Sequence, residues 1–231
     1  EMENMAMDIN GGYIDPDYIC LIKGLFQFLM GSELSADGII KGRRIEKTID
    51  DLFKGRFINN VSIPLAITSV NVNNGQTIIF VSNKKGLTDK GNIQYMDNIK
   101  LSEAVRASIS IPVIFKPKTF SNMRLVDGGV GDNLPVGVLK EMGAQRVIAV
   151  NLGYSGQLKG EVDNIFEIGF QTIDIMAYNI TRYKSFGADC ILNPNIYNIG
   201  LKDLDKIPEC IERGYQCVDQ NINLIKKAVK I

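Results

Sequence analysis

The chain has 231 residues, enough for one large domain with a sizeable core, and 45% of them are apolar, a share too high for a disordered polypeptide. Lys plus Arg and Asp plus Glu number 26 each, so the formal net charge is zero and nothing pulls the whole molecule toward nucleic acid or an anionic membrane. Histidine is absent, which excludes every Ser-His-Asp or Cys-His arrangement and leaves acid–base chemistry to Asp, Glu, Lys, Tyr or Cys.

The opening EMENMAMDINGG has no basic segment followed by an apolar one and does not read as a secretion signal. It begins on Glu1 rather than Met, so the first residues of the gene product are expected to lie outside it. Asp15-Pro16 offers a cap followed by proline at the first helical position, which predicts a helix over about 17–30. That helix is apolar nearly all round, so it is expected to be buried or to lie against an apolar partner. The run Tyr18 to Gly31 contains Lys23 and falls well short of the roughly 20 residues that span a bilayer.

In GRRIEKTIDDLFKG the three–four spacing of Ile45, Ile49, Leu52 and Phe53 predicts an amphipathic helix. Lys41, Arg43 and Arg44 read as its solvated start, with contact to anionic headgroups as a secondary reading. IPLAITSVNV (63–72) and QTIIFVSN (76–83) read as strands joined by Asn73-Asn74-Gly75, residues that tolerate positive φ. LSEAVRASIS (101–110) predicts a helix stopped by Ile111-Pro112.

RLVDGGVGDNLP (124–135) places a carboxylate, Asp127, directly after an apolar strand. Gly128, Gly129 and Gly131 follow, which allow a sharp turn and a close approach, and Asn133 is the expected N-cap of a helix over Leu134–Met142 that closes at Gly143. RVIAVNL (146–152) is the next strand, so strand, glycine turn, helix and strand form a βαβ unit and predict a parallel sheet. A long helix is expected over 164–186 with Ile165, Ile168, Ile173, Met176 and Ile180 inward, then a strand over 189–194 and a last helix over 206–228. Cys20, Cys190, Cys210 and Cys217 form no C-x-x-C pair, which argues against a zinc site and a disulfide framework and makes a reducing compartment the default. Cys210 and Cys217 are expected to be buried on that last helix. The chain reads as one α/β layered domain.

Functional residues of open parallel sheets gather at the carboxyl ends of strands, where Asp127 sits, although an isolated Asp-Gly-Gly is most often a plain turn. A dinucleotide site is disfavoured: the third glycine of the fingerprint is Leu134, the next strand ends in Asn151 rather than an acid, and no G-K-[ST] occurs. A calcium site at Asp127 and Asp132 lacks the D-x-[DN]-x-[DN]-G pattern.

The span LSEAVRASISIPVIFKPKTFSNMRLVDGGVGDNLPVGVLKEMGAQRVIAVNLG (101–153) resembles the patatin-like phospholipase family of lipid acyl hydrolases. AVRAS-x-x-IP, the strand into D-G-G, D-N-x-P and MGA-x-x-VIAVN stand in the family's order. SADGIIKGRRIEKTIDDLF (35–53) and GADCILNPNIYNIGLKDLDKIPECIERGY (187–215) extend the likeness, the latter toward bacterial members. The resemblance implies a three-layer α/β/α fold with a mainly parallel central sheet, here a single domain over 1–231 without its N-terminal strands. It also implies a Ser-Asp dyad without histidine, with Asp127 as the catalytic base and Gly128 and Gly129 as the motif glycines beside it. The nucleophile belongs on a G-x-S-x-G elbow after a glycine-rich oxyanion loop, both expected upstream, and EMENMAMDI resembles the helical stretch that follows the elbow.

No G-x-S-x-G is present; GYSGQ (153–157) lacks the last glycine, so Ser155 is not expected to be the nucleophile, and Ser108 and Ser110 are expected to pack a helix end. The implied substrate is a phospholipid or another fatty-acyl ester, with no cofactor or metal, possible contact with a membrane surface, and a cytoplasmic or membrane-peripheral location. Oligomeric state stays open. The alternative is a non-catalytic patatin-shaped scaffold that binds lipid or a protein partner.

Overall fold

The first helix is capped by a different aspartate from the one expected. In the computed structural model, which describes Glu3 and residues 15–30, 37–153, 162–196, 198–200 and 203–229, helix α1 (Tyr18–Leu29) receives its cap from Asp17, whose Oδ1 accepts the Cys20 N–H at 3.1 Å. Asp15 instead accepts the N–H groups of Gly42, Arg43 and Arg44 at 2.7, 2.9 and 3.4 Å. These are the unpaired amides at the start of α2 (Arg43–Phe53), and Pro16 bridges to Ile40 so that Asp15 lies beside them. Apart from Glu3, the segment EMENMAMDI in which a helix was expected lies outside the described residues, as does Ser155.

The residues fall into two units, Gly11–Gly131 and Asp132–Ile231 with Glu1–Asn10. In the first, β1 (Ala66–Asn71) and β2 (Gln76–Val81) form the expected antiparallel hairpin, closed by the pair Asn71–Gln76 and by Gly75 at φ +75°. β3 (Ile93–Met96), β4 (Lys118–Phe120) and β5 (Met123–Asp127) complete a sheet in the order β3-β2-β1-β5-β4. Its pairings are mixed: β2–β3 is parallel, and β1–β2, β1–β5 and β4–β5 are antiparallel. The fold is α/β, and two of the antiparallel pairs, β1–β2 and β4–β5, arise because their connections are too short to cross over.

β2 is buried from Ile78 to Val81, the continuous apolar run of a strand covered on both faces. Ile78 and Phe80 pack with Leu125 of β5 against Leu101, Ala104 and Ala107 of α3 (Leu101–Ser108), and Phe80 meets Phe120 edge-on at 6.0 Å. The small residues of AVRAS let α3 lie close to the sheet.

Asp17 is buried beside Lys116, whose Nζ is 2.7 Å away, and Lys41 at 3.6 Å. The hydrogen bond from Lys116 leads the causes that hold its pKa down at about 2, against 3.8 for an ordinary aspartate. A depressed carboxylate stabilises the fold above its unfolded value, and that contribution disappears as the pH falls from 3.8 through about 2. Asp17→Asn should therefore flatten the loss of stability between those pH values, read as urea midpoints against pH; an unchanged slope would show that Asp17 carries none of it.

Among the described residues, five apolar side chains on and just after α1 stand exposed. Tyr18, Ile19, Ile22, Phe26 and Met30 are between 63% and 74% exposed, where burial or an apolar neighbour was expected. No helix among the described residues is long and apolar enough to cross a membrane.

In the second unit, β6 (Ile148–Val150) pairs in parallel with β7 (Cys190–Leu192). The crossover that a parallel pair requires contains α6 (Ile165–Lys184), so the strand–helix–strand unit resolved here is β6-α6-β7, whereas β5 pairs with β1 and β4. Asn164 caps α6 by accepting the Glu167 N–H at 3.0 Å. Ile168 and Met176, expected inward, are exposed; Ile173 and Ile180 are half-buried.

The expected last helix is two, α7 (Ile207–Gln220) and α8 (Ile222–Val229). Asn221 breaks it, its side-chain amide donating to the Cys217 carbonyl at 2.8 Å in competition with the helix backbone. Cys217 is buried with Cys190, Leu192 and Ala228, while Cys210, in the first turn of α7, is only half-buried, contrary to expectation.

Candidate active site

Asp127 is the last residue of β5 and lies opposite Ser69 of β1. Its backbone N–H donates to the Ser110 carbonyl at 2.9 Å, which ties the strand end to the loop after α3. Its side-chain Oδ1 accepts the Gly129 N–H at 2.7 Å, the first residue of a single helical turn, α4 (Gly129–Asp132). The carboxyl group is half-buried, and among the described residues no lysine or arginine forms an ion pair with it. Burial raises its pKa above the ordinary 3.8, and the Gly129 N–H pulls the other way with less effect. The result is a carboxylate with increased proton affinity, held in one orientation and reachable from solvent. Such a group accepts a proton from a hydroxyl placed against it.

Gly128 is required by proximity. None of Gly128, Gly129 or Gly131 has the positive φ that a sharp left-handed turn would need. A Cβ at Gly128 would lie 2.2 Å from Thr68 Oγ1 and 2.6 Å from the Thr68 carbonyl oxygen, and the backbone cannot give way without moving β1. Gly128→Ala is expected to destabilise the protein by about 1–3 kcal/mol through overpacking and to displace Asp127. A melting temperature within about 1 °C of the parent, on a scale of about 2–4 °C per kcal/mol for a protein of this size, would contradict this.

The helix after the motif starts later than expected. α5 spans Val136–Glu141, preceded by Pro135, and no side chain caps it. Asn133 is exposed; Asp132 supplies the local bond instead, accepting the Leu134 N–H at 3.2 Å, and its other oxygen is 3.7 Å from Lys184. A chain in which Asp and Asn stand side by side offers two candidate caps, and the one two residues before an available N–H takes the bond. Gly143 follows α5 at φ +94°, as expected for a helix C-terminus.

Arg106, which the sequence analysis did not single out, supports this region. It is 2% exposed; its guanidinium donates to Ser110 Oγ at 2.5 Å and to the carbonyls of Lys41 and Lys116 at 2.6 and 2.9 Å, and it lies 5.2 Å from the centre of the Phe115 ring. Burial lowers its pKa, opposed by Glu46 and Asp15. Ser110 Oγ in turn donates to the Arg106 carbonyl at 2.7 Å, so Ser110 is fully engaged in packing the helix end. The only hint in the sequence was a cation among the small residues of AVRAS. Arg43 and Arg44 are exposed and Lys41 pairs with Asp17, the arrangement of a solvated helix start.

The model of the patatin-like phospholipase family matches residues 16–140. The protein named Lysophospholipase NTE1 of Meyerozyma guilliermondii is 28% identical over 152 residues, which cover 55% of this chain and 11% of that protein. That of Lodderomyces elongisporus is 43% identical over 141 residues, 50% of this chain and 10% of the relative. An uncharacterized NTE family protein of Mycobacterium bovis is 28% identical over 127 residues, 55% of this chain and 31% of its own length. The chain thus spans only a fraction of each of these relatives. A matched segment that runs through α3, β5, Asp127 and both adjoining glycines, and covers more than half of the chain, places it in the patatin-like phospholipase family.

Proposed function

We propose that this chain carries the base of a Ser-Asp dyad that hydrolyses fatty-acyl ester bonds of phospholipids or related lipids, with Asp127 as that base. The observation that supports it most is the state of Asp127: at a strand end, half-buried, raised in proton affinity, and without a cationic partner among the described residues. A structural aspartate is normally paired and depressed, as Asp17 is. In the proposed reaction the Asp127 carboxylate takes the proton of a serine hydroxyl as its oxygen bonds to the ester carbonyl carbon, then returns the proton to the departing alcohol. Water repeats the sequence on the acyl-serine, releasing the fatty acid and regenerating the serine.

Because no G-x-S-x-G occurs in the 231 residues, the serine is proposed to come from sequence beyond them. The printed names of the yeast relatives make a lysophospholipid the first substrate to try. Peripheral contact with a membrane from the cytoplasmic side is part of the proposal, supported by the exposed side chains of Tyr18, Ile19, Ile22 and Phe26 on α1.

The same absence of a nucleophile supports a second reading, a non-catalytic scaffold that binds lipid or a protein partner. Labelling the intact protein with a fluorophosphonate and mapping the modified peptide separates the two. Label on a G-x-S-x-G serine outside this sequence supports the hydrolase. Label on Ser155 would reassign the nucleophile, and no label on intact protein would favour the scaffold.

A further inference from the structure

Val113 has a backbone φ of +71° and is, among the described residues, the one β-branched residue of positive φ. A branched Cβ crowds the neighbouring carbonyl in that region, so valine is strained where glycine would not be. Nor does packing call for valine, since the residue is 47% exposed. The conformation persists because the backbone around it is held on both sides. The Phe115 N–H donates to the Ile111 carbonyl at 2.9 Å and closes a turn, Ile111–Phe115, with Val113 in its middle. From outside the turn the Ile39 N–H is shared between the Val113 and Ile114 carbonyls at 3.3 and 3.0 Å, and the Ile40 N–H reaches the Ile114 carbonyl at 2.8 Å. The Lys116 N–H returns to the Ile40 carbonyl at 2.9 Å, and the two segments run so close that a Cβ at Gly38 would fall 2.4 Å from the Lys116 nitrogen.

This turn begins directly after Ser110, whose carbonyl accepts the Asp127 N–H at 2.9 Å. All of these residues belong to the first unit. When Val113 leaves the left-handed region, the peptide planes beside it rotate, the bond from Phe115 to Ile111 opens and Ser110 is free to move. The end of β5 then loses its anchor. Strained backbone of this kind clusters at working sites and switch regions.

We propose that Val113 is a positioning residue for Asp127, and that the turn Ile111–Phe115 has two states, a strained one that keeps the Asp127 amide on Ser110 and a relaxed one that releases it. Its effect on turnover rests on the reading of Asp127 as the dyad base. The coupling between the turn and the Asp127 amide does not.

The test is hydrogen exchange of single amides, followed by NMR on the intact protein, with Ile79 of the buried β2 as the reference. Val113→Gly removes the strain, so the Asp127 amide should exchange about tenfold more slowly. The protein should also melt no lower than the parent, although glycine ordinarily loosens the unfolded chain. Val113→Pro fixes φ near −65° and forces the relaxed turn. There the Asp127 amide should speed up by about tenfold or more beyond any change at Ile79, a difference that a general loss of stability does not produce. With a lysophospholipid as substrate, kcat should fall by about tenfold or more in Val113→Pro while KM changes little. A parent that turns over no lysophospholipid would remove the dyad reading and leave the exchange rates to decide this one. An unchanged Asp127 rate or an earlier melt in Val113→Gly would overturn the assignment. So would equal acceleration of Asp127 and Ile79, or undiminished kcat, in folded Val113→Pro; if that variant does not fold, Val113→Gly alone decides.

Discussion

Asp127→Asn is expected to lower ester hydrolysis by the intact protein by about 10²–10⁴-fold while the fold persists. Asparagine is nearly isosteric, and its carbonyl oxygen can still accept the Gly129 N–H that now reaches Asp127 Oδ1 at 2.7 Å. What disappears is the ability to take up a proton. The effect on stability runs the opposite way from the usual loss of an aspartate. A folded pKa raised above 3.8 means the native state holds the proton more tightly than the unfolded chain, so ionising Asp127 weakens the fold as the pH rises from 3.8 through the folded value, and that penalty is fully present above it. The asparagine variant escapes the penalty and should be at least as stable as the parent at neutral pH. For the parent, kcat/KM should fall on an acid limb displaced above 3.8, since only the ionised carboxylate is a base. Measuring kcat and KM for a lysophospholipid across pH, with circular dichroism on both proteins, checks all of this. Undiminished turnover in a folded variant would remove Asp127 from the chemistry.

Arg106→Met is expected to destabilise the protein by about 3 kcal/mol or more. Methionine replaces the apolar stem but leaves the carbonyls of Lys41 and Lys116, and the hydroxyl of Ser110, without their buried donor. For a chain of this length that corresponds to a fall in melting temperature of about 6–12 °C. Arg106→Lys should recover only part of it, because one ammonium cannot reproduce a planar fork aimed at three acceptors. Since the Ser110 carbonyl holds the Asp127 amide, hydrolysis should suffer in both variants even where they remain folded. A melting temperature for Arg106→Met within about 2 °C of the parent would show that water or neighbouring groups take over the vacated bonds.

The parts of the fold legible in advance are those specified by residues close together along the chain. The hairpin of β1 and β2 could be read from two β-branched runs around Asn73-Asn74-Gly75, and Gly75 has the expected positive φ. The strand ending at Asp127, the amphipathic α2 and the long helix α6 were legible for the same reason. What sequence missed was the choice between near-equivalent neighbours. Asp15 and Asp17 are both good caps, and only the bridge from Pro16 to Ile40 sends Asp15 to α2 and leaves Asp17 for α1. Asp132 and Asn133 posed the same ambiguity before α5.

By itself, then, the sequence determined the α/β class, the run of elements around Asp127, and the absence of histidine from these 231 residues, so that a base drawn from them is a carboxylate or another group that titrates. Those follow from φ/ψ preferences, periodicity and composition, which depend on neighbours a few residues away. Tertiary structure decided that Asp127 is half-buried, that Gly128 exists to let β5 pass close to Thr68, and that Arg106 is turned inward onto carbonyls 65 and 10 residues away. Burial and hydrogen-bond partnership are properties of segments brought together across long stretches of chain. A desolvated carboxylate and a paired one have the same letter in a sequence, and only the packing around them sets their proton affinities apart.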